Sequence, residues 1–323
     1  MMSLRPFCGA VAVLLAGAST AAAEAWPTRP IQVISPFTAG NANDIIGRVV
    51  LDQVSKRLGQ PFIIETRPGG GGTIGAAAAA KADPDGYTFL LHSSSLSSQV
   101  VLHRNLPYDP IRDFAAVAMF GIQPSVLVVA PSKGFKTVAD LVAAAKARPG
   151  ALNFASAGIG AASHMAAERL RLAAGIDVQH IPFRGPVEAF TEVMAGRIDF
   201  YFLPIAPALP VISQGQVVAL AVSTPQRAAA LPNVPTTAEA GYPDAKYVFW
   251  GGLSAPVKTP RPIIEKLHAE VQKVLELPEI QERLAKLGVQ PQPMSVDEFD
   301  AFFREDVTAT IKLGKDAHIE PTN

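Results

Sequence analysis

Apolar residues fall along this chain in two rhythms. Short, nearly unbroken runs at 31–37, 62–65, 87–92, 126–130, 152–155, 178–182, 199–203, 217–222 and 247–253 predict strands buried on both faces. Between many of them the spacing lengthens to three or four. Ile45, Ile46, Val49, Val50, Val54 and Leu58 share one helical face, with Asn43 or Asp44 placed to cap the start and Gly59 just past the end. Thr137 is placed to cap a second helix through Val138, Leu141, Val142 and Ala145, which Pro149-Gly150 stops. Such alternation predicts an α/β fold with mainly parallel sheets flanked by helices. After the last strand the pattern turns helical, at Pro262–Leu277, Pro278–Leu287 and Val296–Leu313. These helices are expected to pack across a domain formed earlier in the chain.

Two strand-to-helix turns carry glycines. The first is Pro36-Phe37-Thr38-Ala39-Gly40-Asn41-Ala42-Asn43-Asp44, and the second is Ser156-Ala157-Gly158-Ile159-Gly160-Ala161-Ala162-Ser163-His164. The first turns of α-helices leave N–H groups without intrahelical acceptors, a ready device for holding a carboxylate or phosphate. The turns lie in different α/β regions, at strand ends where open parallel sheets place ligands. If the regions face each other, a cleft forms with one helix start on each wall. The strand at 247–253 is placed to return the chain to the first region, and two crossings make a hinge.

Length and composition narrow the setting. Arg5, the apolar stretch Ala10–Ala18 and the small residues Ala21-Ala22-Ala23 read as a secretory signal over residues 1–23, with cleavage after Ala23 or Ala25. Cys8, the one cysteine, lies inside it, so thiolate chemistry, disulfides and cysteine-bound metals are excluded from the mature chain. About 300 remaining residues favour two domains. Without Arg5 there remain 27 basic and 28 acidic side chains, a balance that gives no reason to expect nucleic acid or an anionic membrane as partner.

Candidate chemistry is sparse. Gly70-Gly71-Gly72-Thr73-Ile74-Gly75 fits G-x-G-x-x-G, but export and the missing acidic residue on a following strand argue for a glycine-rich surface connection, not a cofactor site. The histidines are scattered without metal-ligand spacing, and no G-x-S-x-G elbow occurs. His164, just inside the second turn, either meets a ligand or caps and packs; a helix start there would lower its proton affinity. Asp44 either caps or receives a ligand's ammonium. Arg184 either pairs with a carboxylate or is solvated, and Phe37 and Trp250 either wall a ligand or belong to the core.

The order of motifs resembles the Bug/TctC-type receptors. It runs Arg29-Pro30-Ile31, Pro36-Phe37-Thr38-Ala39-Gly40, Glu65-Thr66-Arg67-Pro68-Gly69, Gly71-Gly72-Thr73-Ile74-Gly75, Pro84-Asp85-Gly86-Tyr87 and Leu106-Pro107-Tyr108-Asp109-Pro110. It continues with Ser156-Ala157-Gly158, Ile181-Pro182-Phe183-Arg184-Gly185, Ala195-Gly196-Arg197-Ile198-Asp199 and Leu231-Pro232-Asn233-Val234-Pro235-Thr236. The resemblance implies a periplasmic solute receptor of two α/β lobes that close like a flytrap. Its lobes would be 24–125 with 248–323, and 126–247. It implies a monomer without cofactor, metal or catalysis. A small carboxylate, most simply a dicarboxylate, is held by Phe37, Ala39, Gly40, Asn41, Asn43, Asp44, Ser93 and Ser94 of one lobe. From the other come Ser156, Ala157, Gly158, Gly160, Ser163, His164, Arg184, Gly185 and Pro204.

Where relatives carry a glycine-richer first loop, this chain has Asn41 and Asn43. Where many carry a polar pair, it has Leu203-Pro204, which favours a ligand with an apolar middle, such as an aromatic or medium-chain dicarboxylate. Implied partners are the large and small membrane subunits of a tripartite tricarboxylate transporter. The rival readings are presentation of the bound acid to a membrane sensor kinase, or a periplasmic hydrolase or isomerase built on His164 with Asp44 or a serine.

Overall fold

The computed structural model describes residues 26–321, so the expected signal at 1–23, with Cys8, lies outside the described residues. The first half of the chain runs β1 (Ile31–Ser35), α1 (Ala42–Leu58), β2 (Phe62–Thr66), α2 (Thr73–Ala80), β3 (Thr88–Ser93), α3 (Ser95–Leu102), β4 (Phe114–Gln123) and β5 (Ser125–Val129). Then come α4 (Val138–Ala147), β6 (Asn153–Ser156), α5 (Ala162–Ala174), β7 (Gln179–Pro182), α6 (Pro186–Met194), β8 (Tyr201–Pro204), α7 (Ile205–Ser213) and β9 (Val218–Val222). The chain closes with β10 (Phe249–Pro256), α8 (Arg261–Leu275), α9 (Pro278–Lys286) and α10 (Val296–Asp316).

One sheet has the order β2-β1-β3-β10-β4. There β1 is parallel to β2 and β3, while β10 runs antiparallel to β3 and β4. The other sheet has β8-β5-β9, with β5 antiparallel to both neighbours, beside the parallel pair β6-β7. A parallel bridge from Phe154 to Phe200 ties β6 to the start of β8, giving the order β7-β6-β8-β5-β9. Each sheet thus has one strand opposing the rest, β10 in the first and β5 in the second. Both are strands that arrive from the other lobe. A chain that leaves one sheet at the carboxyl ends of its strands enters the next at the corresponding edge, so it must run back against them.

Both faces of each sheet are covered. Ile31 and Val33 of β1 and Phe89 and Leu91 of β3 pack under α1, α8 and α9, while Ile34 and Leu90 point to the opposite face with Trp250, Phe299 and Phe303. In the second lobe Leu127 and Val129 face one cluster, and Val126 and Val128 the other. Two-sided burial explains why the strands read as continuous apolar runs. It also explains why β4 is not evident in the sequence: Phe114–Ile122 is apolar on both faces, a pattern shared with a buried helix.

Helix ends supply two adjustments. Asn41, not Asn43 or Asp44, caps α1, its side chain accepting from the amides of Asn43 and Asp44, while Gly59 closes the helix in the left-handed conformation. The last helix reaches further than expected. Phe299, Phe303 and Val307 of α10 cover the first sheet, Leu313 joins the core of the second lobe, and Arg171 of α5 donates to the carbonyl of Ala317.

Candidate functional site: the cleft between the lobes

The two glycine turns are copies of one device, with equivalent residues 120 positions apart. In each, a glycine with positive φ, 82° at Gly40 and 76° at Gly160, precedes the helix. The next residue's amide turns back to a carbonyl, Asn41 to Thr38 and Ala161 to Gly158. The glycine amide itself donates to the side chain four residues on: Gly40 to Asp44 Oδ2 at 2.8 Å, and Gly160 to His164 Nδ1 at 3.1 Å. Asp44 and His164 therefore do the same job in opposite lobes. Each pins its turn, and neither glycine amide is left for a guest.

Below this symmetry the two walls differ. At α1 the first-turn amides of Asn43 and Asp44 are satisfied by Asn41 Oδ1, and the buried Asp44 carboxylate is paired with Arg48 at 3.1 Å. At α5 the capping position is Ala161, which has no side-chain acceptor. Among the described residues, the amides of Ile159, Ala162, Ser163 and His164 have no acceptor. The residue equivalent to Asp44 is here an imidazole. Burial, then the neighbouring His180 and Arg171, lowers the His164 pKa to about 3, so the ring is neutral. Burial rather than the helix start is the main cause. Unsatisfied N–H groups with no carboxylate beside them favour an anion on the second wall.

Facing that wall is a cleft of about 450 Å³. The second lobe lines it with Ala157, Gly158, Ile159, Gly160 and Ala161, the first with Phe37, Gly70, Gly71, Ser95, Gln99, Leu102 and His103. The α3 residues recur at helical spacing, so one face of that helix looks across at the second turn. The lobes touch where Gly160 meets Leu102: a Cβ at Gly160 would fall 2.2 Å from Leu102 Cδ1. The glycine run is exposed at Gly69, Gly70 and Gly71, as expected of a surface connection, and Gly70 and Gly71 also form part of the wall. Gly69 to Gly72 all hold positive φ, and a Cβ on Gly71 would lie 3.1 Å from Gln99 Oε1.

Several expected ligand residues are placed elsewhere. Ala39 and Gly40 are exposed, Asn41 is committed to capping, and Asn43 is buried with its Oδ1 against Gly251 of β10. Ser93 and Ser94 are buried: Ser93 bonds the Ser95 hydroxyl at 2.8 Å, and Ser94 accepts from the Tyr247 hydroxyl at 3.3 Å. It is Ser95 that lines the cleft. Ser163 accepts from the Ala157 amide, and Ser156 is bonded to Gly158 and His180, so both brace the turn from below. Arg184 is exposed, Gly185 starts α6, and Pro204 starts α7; none lines the cleft. Leu203 is core, and neither Leu203 nor Pro204 lines this cleft. Trp250 is fully buried amid Phe299, Phe302 and Phe303, its Nε1 donating to Asp306. Phe37 remains as an apolar wall. Gln99, Leu102 and His103 carry no motif, only a spacing, so sequence alone does not point to them.

A second hollow, about 370 Å³, lies behind the crossing strands. It mixes Arg169 and Lys246 with Asp244, Glu305 and Asp306, and so offers an anion no net attraction. Among the described residues no cluster of three His, Cys, Asp or Glu side chains has the arrangement to hold a metal.

Residues 46–317 match the family described as tripartite tricarboxylate transporter family receptor. The protein BugT of Bordetella pertussis is 33% identical over 311 residues, covering 95% of each chain. A Rhodopseudomonas palustris protein solved with adipate is 30% identical with a TM-score of 0.78, over 92% of this chain and 99% of its own. MatC of the same species, solved with malate, is 30% identical with a TM-score of 0.74, over 90% of this chain and all of its own (100%). These structural neighbours share the two-lobed receptor fold, and the family is one of solute receptors, not enzymes.

Proposed function

Because the chain belongs to the receptor family of the tripartite tricarboxylate transporters, we propose that it captures a small carboxylate, most simply a dicarboxylate, in the cleft between its lobes. The observation that carries this is the uncapped, uncharged start of α5, which directly follows the Ala157–Ala161 loop lining the cleft opposite Phe37, Gly70, Gly71 and α3. The carboxylate sits against the second lobe, with Ile159, Ala162, Ser163 and His164 donating from the backbone. The first lobe covers the guest and supplies side-chain polarity through Ser95, Gln99 and His103. This arrangement is more one-sided than equal capture by both glycine turns. Relatives solved with adipate and malate support acids of this size.

Each hydrogen bond to a charged group contributes about 1.5–3 kcal/mol net. Three or four of them reach the roughly 8 kcal/mol of micromolar binding once contact with Phe37 offsets part of the association cost. Closure turns on the two crossings, near 125 and 247, with lobes divided as 24–125 plus 248–323 and 126–247. Residues 1–23 act as the export signal, and the closed receptor delivers its acid to the membrane subunits of a tripartite transporter.

The test is a thermal-shift and calorimetric screen of succinate, malate, adipate, citrate, benzoate, phenylacetate and glutamate. A dose-dependent rise in melting temperature with one or more of the acids, without chemical change on long incubation, is expected. Binding of sugars or cations alone, or consumption of the acid, would defeat the reading.

A further inference from the structure

Under the second turn lies a ring stack that no motif marked. His180 of β7 stacks on His164 of α5 with centroids 4.0 Å apart and planes 11° from parallel, and Phe154 of β6 stacks on His180 at 4.8 Å. His180 Nε2 is 2.6 Å from Ser156 Oγ. The Ser156 hydroxyl donates to the Gly158 carbonyl at 3.0 Å and accepts from the Gly158 amide at 3.1 Å. With its one proton directed to Gly158, the hydroxyl's second lone pair is filled when His180 carries its proton on Nε2. His164 has the same tautomer. Its Nδ1 accepts from Gly160, leaving the proton on Nε2, which lies 3.7 Å from Glu168 Oε1. Each imidazole thus fixes one glycine of the turn, His164 directly and His180 through Ser156.

We propose that His180 is a positioning residue for ligand capture: through Ser156 it sets the bend at Gly158 from which the cleft-facing amides project. The proposal rests on the carboxylate reading of the cleft. His180 does not line that cleft, so its effect on binding passes through the loop. A serine within 2.6 Å of a histidine also has the spacing of a nucleophile and its base. Here the serine is wholly buried and bonded to both the carbonyl and the amide of Gly158, so the pair is a brace. Burial lowers the pKa of His180 to about 4, which keeps the ring neutral beside His164.

The test separates hydrogen bond from packing. His180→Phe keeps a stacking ring and removes Nε2; Ser156→Ala removes the same link from the other end. Both are measured by calorimetry with whichever acid of the seven named above binds the wild type most tightly. Each variant is expected to bind about tenfold more weakly with its melting temperature within a few degrees of wild type. The double variant should be no weaker than either single one. The ligand-free 1H–15N spectrum of His180→Phe should move the Gly158, Ile159 and Gly160 amides and little else. His180→Gln, which can again donate to Ser156, should recover affinity to within about threefold. Wild-type affinity in His180→Phe and Ser156→Ala, or losses that add in the double variant, would overturn the positioning role alone. A wild type that binds none of the seven acids would overturn the carboxylate reading and the capture role with it.

Discussion

Replacing Gly160 with alanine tests how the lobes meet, because one methyl group acts in two separable ways. The backbone at Gly160 has φ of 76°, where an L side chain costs about 1–2 kcal/mol. That strain is present with or without ligand, so it should appear as a melting temperature a few degrees lower. The second effect is steric and crosses the cleft. A Cβ there lies 2.2 Å from Leu102 Cδ1, against ordinary carbon contacts of about 3.5–4.0 Å. The walls must separate by roughly 1.5 Å or Leu102 must turn away, and hydrogen bonds that span the guest lengthen and lose alignment over that distance. Loss of one charge-assisted hydrogen bond, about 1.5–3 kcal/mol, corresponds to a fall in affinity of roughly ten- to a hundredfold. The double variant Gly160→Ala with Leu102→Ala removes the obstacle and keeps the strain. Titration calorimetry on the two single variants and the double should therefore show affinity largely restored while the melting temperature stays low. Affinity unchanged in Gly160→Ala, or lost equally in the double variant, would refute the claim that the lobes close upon this contact.

Other consequences concern the supports of the site. Asn41→Ala removes the cap of α1 and should cost about 0.5–2 kcal/mol of stability, read from urea unfolding, with affinity changed less than threefold because the proposed carboxylate site is on the other wall. Ala161→Asp places a carboxylate at the start of α5 that caps those amides itself; calorimetry should show binding reduced at least thirtyfold while stability is kept or raised. Acid should weaken the fold through its buried histidines. His92 and His164 have native pKa values lowered by burial to about 3, whereas the unfolded chain takes up their protons near pH 6.5. Their contribution is fully present above pH 6.5 and is lost as pH falls toward 3, at about 1.4 kcal/mol per unit for each. Melting temperature measured from pH 7 to pH 4 should fall steadily, and a flat profile would contradict the buried neutral rings.

The sequence made the α/β rhythm legible because strands covered on both sides carry apolar residues on both faces, as Ile31, Val33 and Ile34 and Phe89, Leu90 and Leu91 do. The same rule hid β4, whose alanines and Gly121 give neither alternation nor helical spacing. Both turns could be located from glycine and the following polar residue. What could not be read was how their polar groups pair: whether Asp44 and His164 face outward or fold back on Gly40 and Gly160 depends on rotamers four residues away. The α3 face is similarly opaque, since Ser95, Gln99 and Leu102 become a wall only once the second lobe stands opposite. His180 carried no local signal; its importance is tertiary, through Ser156.

A crystal structure of the chain with the tightest-binding acid of the screen tests the central claim most directly. The account predicts one carboxylate group within about 3.2 Å of two or more amide nitrogens among Ile159, Ala162, Ser163 and His164, with Leu102 still seated on Gly160. An acid bound instead against Asn41 and Gly40, or in the hollow beside Arg169 and Lys246, would contradict it.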